Sequence, residues 1–343
     1  MRQVPYTKLA DLCSAVFAAR GLSTADARYV GEIVTLTEAF GIKTHGVKVV
    51  LAVAGQVGEK IDPSAQPKVV AESGATATID GQGVLGQLAM RLAKELAVAK
   101  AREHGAAMVG VRKTSWIGAV GPFLIDIAEA GLLATATAQS SACLDCAPVG
   151  GIDATFSTNP MALAFPTGGD PVVADFSTAC YSMGKIGQLI RAGKKAPEPV
   201  FLDKQGALTD DPNVTDEEGS VLLTGGRNFG HKGYALSLWC EALTALSGGN
   251  ANNPDLPQTQ SFSLTVIDPE AFAGSEYFLA EMKRFVARVK ASRPRPGCDP
   301  VRLPGERGFA ALREAKDSGV PLDDKIVEQL NELASANKVG VTL

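Results

Sequence analysis

Histidine is scarce in this chain of 343 residues: only His45, His104 and His231 occur, and no two stand close together in sequence. That scarcity leaves a zinc site without its usual ligands, and no H-E-x-x-H is present, so no metal is expected. Neither a G-x-S-x-G elbow nor a G-x-x-x-x-G-K-[ST] loop is present, which removes the usual serine-hydrolase and P-loop chemistries. There is no basic excess. The formal net charge is −4 with lysine and arginine scattered, which argues against nucleic acid as a partner. No segment reaches the ~18 uninterrupted apolar residues of a membrane span, and MRQVPYTKLADLCSAVFAAR lacks a signal-peptide core. A cytoplasmic protein is expected. The six cysteines follow no disulfide framework; Cys143 and Cys146 form a C-x-x-C, a redox or zinc half-site without a second pair. What remains is chemistry that needs few protein groups. Hydride transfer is one, because the cofactor carries the reaction while the protein orients it and moves a proton.

The bulk that is present is ordinary: 45% of residues are apolar and 20% charged, and the length allows about two domains. Apolar spacing predicts a helix over 6–20 and a second from the Ser23 cap towards Gly41. From about Lys68 the texture changes to short apolar runs broken by glycine, VVAES, ATATID, AAMVGVR, LLATATAQ, MALAFPT and VVADFST, which read as strands. Helices over 88–104 and 122–130 lie among them, so the middle is α/β or α+β. Residues 191–226 read as a long irregular stretch, KGYALSLWCEALTALSGG as a buried apolar helix, and FSLTVIDP as one more strand. Helices over 275–291, 306–318 and 322–337 close the chain. Helical ends thus bracket a strand-rich middle.

ATIDGQGVLGQLAM contains Gly81, Gly83 and Gly86 in the order G-x-G-x-x-G, after a strand pattern and before a helix pattern. A dinucleotide fingerprint would add an acidic residue about 20 residues on. Here the next strand ends at Arg112 and Lys113, which suits only an NADP-type variant. His45 lies in a loop, KTHGVK, either as an exposed turn residue or as an acid for an anionic substrate. His104 ends a helix before Gly105, where imidazolium favours the carbonyl end. GGRNFGHKGYAL brings a glycine-rich turn, His231 and Lys232 to a helix start, either an anion site or a plain turn. Asp175 ends an apolar strand and VRLPGERG puts a Pro304-Gly305 turn before a helix; both serve either a site or local punctuation.

THGV, the GQLAM-to-SWIGAVG segment, STNPMALAFP, VVADFSTA, GHKGYAL and RLPGE occur in one order over residues 5–340. In that order the chain resembles the malate/L-lactate dehydrogenase family. Ureidoglycolate dehydrogenase, diketogulonate reductase, sulfolactate dehydrogenase and the Δ1-piperideine/Δ1-pyrroline-2-carboxylate reductases belong to it. The resemblance implies a non-Rossmann fold: a mostly antiparallel NAD(P)-binding sheet wrapped by helices, over 71–305, and a helical domain built from both chain ends, 1–70 and 306–343. It implies a homodimer with the site near the subunit interface, and a D-G-x-G turn at Gly81 to Gly83 that is structural. NADPH or NADH would be met by Ser140, Ser141, Asp175, Phe176, Ser177, His231, Lys232, Pro304, Gly305 and Glu306. His45 would donate the proton, with Lys48, Trp116 and Thr158 around the substrate.

Two departures from the family pattern bear on the substrate. Many relatives carry a second histidine where this chain has Trp116, and indole does not titrate, so catalysis would rest on His45. Arginines around the THG motif are replaced here by Phe40 before Gly41 and by Lys48 after, a point charge without a bidentate fork. A reductase of a 2-oxo acid or a cyclic 2-imino acid is therefore expected. A 2-hydroxy acid dehydrogenase, a cofactor-binding relative without turnover and, more distantly, a redox protein using Cys143 and Cys146 are the alternatives.

Overall fold

The computed structural model describes residues 1–343. A short strand, β1 (Arg2–Val4), leads into α1 (Tyr6–Ala19), α2 (Thr24–Ala39) and α3 (Lys48–Val53). Ser23 starts α2 as its sequence implies, its Oγ accepting the Asp26 N–H at 3.1 Å. Gly41, at φ +91°, lets the chain leave α2 in a left-handed conformation. The middle of the chain runs β2 (Lys68–Ser73), β3 (Thr76–Asp80), α4 (Gly86–His104), β4 (Ala106–Thr114), α5 (Ile125–Glu129), β5 (Leu133–Ser140), β6 (Met161–Phe165) and β7 (Val172–Phe176). Then come α6 (Met183–Arg191), the two-residue strands β8 (Phe201–Leu202), β9 (Leu208–Thr209) and β10 (Ser220–Val221), α7 (Gly226–Leu246) and β11 (Gln260–Ile267). The chain ends with α8 (Ser275–Lys290), α9 (Glu306–Ser318), β12 (Val320–Leu322) and α10 (Asp324–Ala336).

Seven strands form the main sheet in the order β2-β3-β4-β11-β5-β6-β7, and every pair is antiparallel except β3–β4. This is the mixed, mostly antiparallel architecture expected. β1 pairs with β12, Arg2 opposite Leu322, which draws the two chain ends together. One continuous apolar core of 58 residues runs from Leu9 and Leu12 in α1 through Val109 and Leu264 in the sheet to Leu330 in α10.

Three expectations are corrected. Residues 191–226 are not wholly irregular: β8, β9 and β10 form a small sheet over a second core around Phe201 and Val221. Two-residue strands are too short to show a period. Residues 320–322, partly assigned to the last helix, are strand β12. The third concerns α7, which is not buried by its large apolar residues. It buries Gly230, Gly233, Ser237, Cys240 and Thr244, and leaves Trp239 57% and Leu246 69% exposed. The reason lies in the sheet beneath it. Gly110, Ser263 and Thr137 stand side by side in register, Thr137 and Ser263 share a hydrogen bond of 2.8 Å, and a Cβ on Gly110 would run into Ser247 at the end of α7. Only small side chains fit there, so the large ones point away. On the alternate residues the same strands carry Val109, Val111, Phe262 and Leu264, which join the core with Leu88, Ala93 and Ala97 of α4.

Candidate active site

The G-x-G-x-x-G segment lies where a parallel β3-α4-β4 unit would place a pyrophosphate, but its amides are already engaged. Gly81 N–H donates to the Arg112 carbonyl and Gly83 N–H to that of Lys113, both at 2.8 Å, and Gly86 N–H donates to the Trp116 carbonyl at 3.2 Å. The Gln87 side chain donates to the Ile117 carbonyl at 3.0 Å, and a Cβ on Gly86 would lie 2.7 Å from Ile117 Cα. Arg112 and Lys113 hold the Asp80 carboxylate at 3.1 and 3.2 Å. They are therefore engaged by the turn itself. The glycines serve as a seat for residues 115–117, and so for Trp116.

His45 meets that tryptophan from the other side. The loop after α2 is pinned because the buried Glu38 carboxylate accepts the Val47 N–H at 3.1 Å and Gly46 packs directly on Glu38. The His45 ring lies parallel to the Trp116 ring, centroids 5.8 Å apart with 1° between planes. Its Nδ1 is 2.8 Å from the Thr44 hydroxyl, which leaves Nε2 for a substrate. Burial holds the imidazole below its usual pKa. The two rings border a cavity of about 170 Å³ that Ser140, Cys143, Asp145, Thr158 and Gln260 also line. No lysine or arginine lines it. Gln260 accepts the Ile117 N–H at 2.8 Å through its carbonyl oxygen, and its amide NH₂ has no partner within the chain.

A larger cavity, about 890 Å³, lies at the start of α9 and is lined by Gly121, Asp175, Arg302, Pro304, Gly305, Arg307 and Gly308 among others. Asp175 Oδ2 accepts the N–H groups of Val120 and Gly121 at 3.0 and 2.7 Å, while burial pushes its carboxyl pKa up. Gly305 turns into α9 at φ +93°. The first amides of a helix have no intrahelical acceptor and carry the positive end of its dipole, so this end of the cavity favours anions. Residues 116–121 connect the two cavities: Gly118 lines the small one and Gly121 the large one. The cavity is of the size that holds a cofactor, ~300–1,000 Å³.

Residues 4–331 match the family model described as malate/L-lactate dehydrogenase. The chain belongs to the malate/L-lactate dehydrogenase family. It is 30% identical to a malate dehydrogenase of Pyrococcus abyssi across 99% of this chain and 95% of that protein. It is also 30% identical to the Delta(1)-pyrroline-2-carboxylate/Delta(1)-piperideine-2-carboxylate reductase of Pseudomonas putida, across 96% of each. The solved sulfolactate dehydrogenase of Methanocaldococcus jannaschii superposes with a TM-score of 0.88 at 28% identity, covering 99% of this chain and 98% of that one. This dehydrogenase-family chain is thus an oxidoreductase enzyme, and the expected cofactor, NADH or NADPH, agrees with a family of NAD(P)-dependent dehydrogenases.

Of the site residues expected in this family member, His45, Trp116, Ser140 and Thr158 come together in the small cavity, and Asp175, Pro304 and Gly305 in the large one. The others line neither. Ser177 Oγ donates to the Thr158 carbonyl at 2.9 Å and Ser141 Oγ to that of Thr259 at 3.0 Å, so both brace the walls. Phe176 is 38% exposed. His231 and Lys232 are exposed on α7, Lys232 lying 5.1 Å from the Phe229 ring centroid. Glu306 pairs with Lys290 at 2.8 Å. Lys48 faces a separate cleft of about 350 Å³ with Lys43, Glu38 and Arg191, because Val49, Val50 and Val53 take the buried side of α3. Gln260 is a lining residue outside every motif, while Arg302 and Arg307 lie inside VRLPGERG and Asp145 inside the Cys143–Cys146 pair without having been singled out as site residues.

Proposed function

We propose that this enzyme reduces a 2-oxo acid or a cyclic 2-imino acid of the Δ1-piperideine/Δ1-pyrroline-2-carboxylate type, and that the same site oxidises 2-hydroxy acids in reverse. The observation that carries this reading is His45, held by Thr44 and Trp116 at a cavity fit for a small acid. When bound, the nicotinamide supplies or accepts the hydride at substrate C2. His45 Nε2 moves the proton to or from the substrate oxygen or nitrogen, while Trp116 fixes the plane of the ring. The hydroxyls of Ser140 and Thr158 and the Gln260 amide hold the substrate carboxylate, the part expected of Lys48. The Arg307 side chain and the free N–H groups of Arg307 and Gly308 at the start of α9 would hold the cofactor phosphates, with Arg302, paired with Asp299 at 2.9 Å, beside them, and Asp175 ties the 120–121 turn against that cavity.

His45, with its pKa lowered by burial, rests neutral at pH 7, the form that accepts a proton from a hydroxy acid. A bound substrate carboxylate raises it again for reduction. A second copy of the chain is the partner we propose for the outward face of α7 and for α8, which buries none of its own residues and leaves Tyr277 62% and Phe285 51% exposed. Six unpaired thiols fit a reducing cytoplasm, and no helix is long and apolar enough to cross a membrane.

The test is loss of NADH and NADPH absorbance with pyruvate, oxaloacetate, longer 2-oxo acids and Δ1-piperideine-2-carboxylate, in wild type and His45→Ala. A fall in kcat of roughly 10²–10⁴-fold, with cofactor binding retained, is expected. Tight cofactor binding without turnover of any substrate would sink the reading in favour of a non-catalytic relative.

A further inference from the structure

The small cavity contains one charged group whose role the hydride-transfer chemistry does not explain. Asp145 lines it, half-buried, and its carboxylate makes no hydrogen bond and no ion pair anywhere in the chain, although its backbone is fixed. The Asp145 N–H donates to the Phe156 carbonyl at 2.8 Å and its carbonyl accepts the Val221 N–H at 2.8 Å, so the side chain is delivered from a bridge between the 145–156 turn and the small sheet. Charged carboxylates that lose water without gaining a partner are costly, and they persist where a ligand completes them. Burial pushes this carboxyl up to about 6, which still leaves it mostly ionised at neutral pH. His45 and Asp145 both line this cavity, and burial is what lowers the imidazole pKa. The Asp145 charge is felt by Cys143 and Cys146. With no lysine or arginine in the wall, a second carboxylate or a sulfonate on the substrate would enter beside Asp145 with nothing to neutralise either charge.

We propose that Asp145, the unpaired carboxylate of this cavity wall, selects the substrate, accepting a hydrogen bond from a cationic nitrogen on it and rejecting acids with a second anionic group. The inference rests on the oxidoreductase reading above and narrows it: the preferred substrate is a monocarboxylic 2-oxo or 2-imino acid bearing a protonated nitrogen, not a dicarboxylic or sulfonated one.

Three acids of similar length separate the possibilities: 5-guanidino-2-oxopentanoate, 2-oxohexanoate and 2-oxoadipate. Both kcat/KM and calorimetric binding to the cofactor complex are measured in wild type, Asp145→Asn and Asp145→Ala, with thermal unfolding as the check on folding. Wild type should favour the guanidinium acid over the dicarboxylate. Asp145→Asn should compress that ratio by roughly 10- to 100-fold, because it removes one charge-assisted hydrogen bond to the guanidinium and relieves one repulsion with the dicarboxylate. An unchanged ratio in both variants, or an equal loss on all three acids together with a lowered unfolding temperature, overturns the proposal. Binding is read without turnover. Charge discrimination in binding with no turnover of any acid would therefore count against the proposed reaction and for the role of Asp145, whereas turnover without discrimination would do the reverse.

Discussion

Two helices in this fold begin at a glycine turn beside a strand end, and they use the same elementary chemistry to opposite ends. At the start of α4 the amides of Gly81, Gly83 and Gly86 all donate to carbonyls of residues 112–116, so the turn is closed by its own chain. At the start of α9, Gly305, Arg307 and Gly308 line an open cavity of about 890 Å³. The first turn matches the dinucleotide fingerprint letter for letter and is closed, whereas at the second, within the RLPGE motif, only the Glu306 N–H is engaged, by the Leu303 carbonyl at 3.2 Å, and those of Arg307 and Gly308 are left free for an anion. Whether a helix start binds a ligand is decided by whether the protein has already satisfied its donors. The closed turn serves the reaction indirectly, by seating Trp116 against His45.

The comparison breaks most sharply at its glycines. Gly86→Ala places a Cβ against the Ile117 backbone at 2.7 Å, where nothing flexible can yield. A loss of ~1–3 kcal/mol is expected from such overpacking, together with a fall in kcat as residues 115–117 shift under His45. Gly305→Ala instead forces a side chain into φ +93°, at ~1–2 kcal/mol, and should act mainly on cofactor KM. Unfolding temperature, kcat and cofactor KM measured for both variants decide the matter. If Gly86→Ala raised cofactor KM as much as Gly305→Ala does, the closed turn would be a binding element after all.

The same contrast shows what could be read from the chain. Long periodic segments such as α1, α4 and β11 were legible, and six ordered motifs carried the family and the cofactor class. His45 and Trp116 were legible as residues but not as a stacked pair, because their stacking depends on Gly86 admitting Ile117. For Lys48 the charge is legible in the motif but its direction is not: α3 turns its valines inward and carries the lysine to another cleft. α7 misled because its composition is apolar while its buried face is Gly230, Gly233, Ser237 and Thr244. Composition cannot show which side of a helix meets a sheet lined with Gly110 and Ser263. Arg307 sits in VRLPGERG, a stretch that reads equally as punctuation, and Gln260 in no motif at all; the turn at Gly305 and the register of β11 bring them to their cavities.

A smaller effect separates the cations of the two turns. Arg307 lines the large cavity without an ion-pair partner, whereas Lys113 is held by Asp80 at 3.2 Å. Arg307→Gln should raise cofactor KM roughly tenfold with kcat little changed, the worth of about one charge-assisted hydrogen bond to phosphate. Lys113→Gln should leave cofactor KM where it is. The reverse pattern, read from initial rates over a range of cofactor concentration, would return the phosphate site to the fingerprint turn.

The smallest expected effect is in the pH dependence, and it too divides the two sides. Oxidation needs neutral His45, whose pKa burial places below the usual ~6.5, so kcat/KM for a 2-hydroxy acid should be nearly flat between pH 7 and 8. Below that pKa it should fall towards tenfold per unit, as the imidazole enters already protonated. Reduction runs the other way, losing rate as pH rises and the protonated ring disappears. Asp145, pushed up to about 6 in the same cavity, adds a second ionisation below neutral pH. Asp145→Asn removes that second titration, so its oxidative profile should show one ionisation where wild type shows two. On the α9 side the backbone amides do not titrate, and Asp175 is the one carboxyl lining the cavity, raised by burial. Cofactor KM should therefore stay level from pH 7 to 8 in both proteins. A single-ionisation profile that survives His45→Ala would move the titrating proton carrier out of the loop after α2 and leave Trp116 stacked on a bystander.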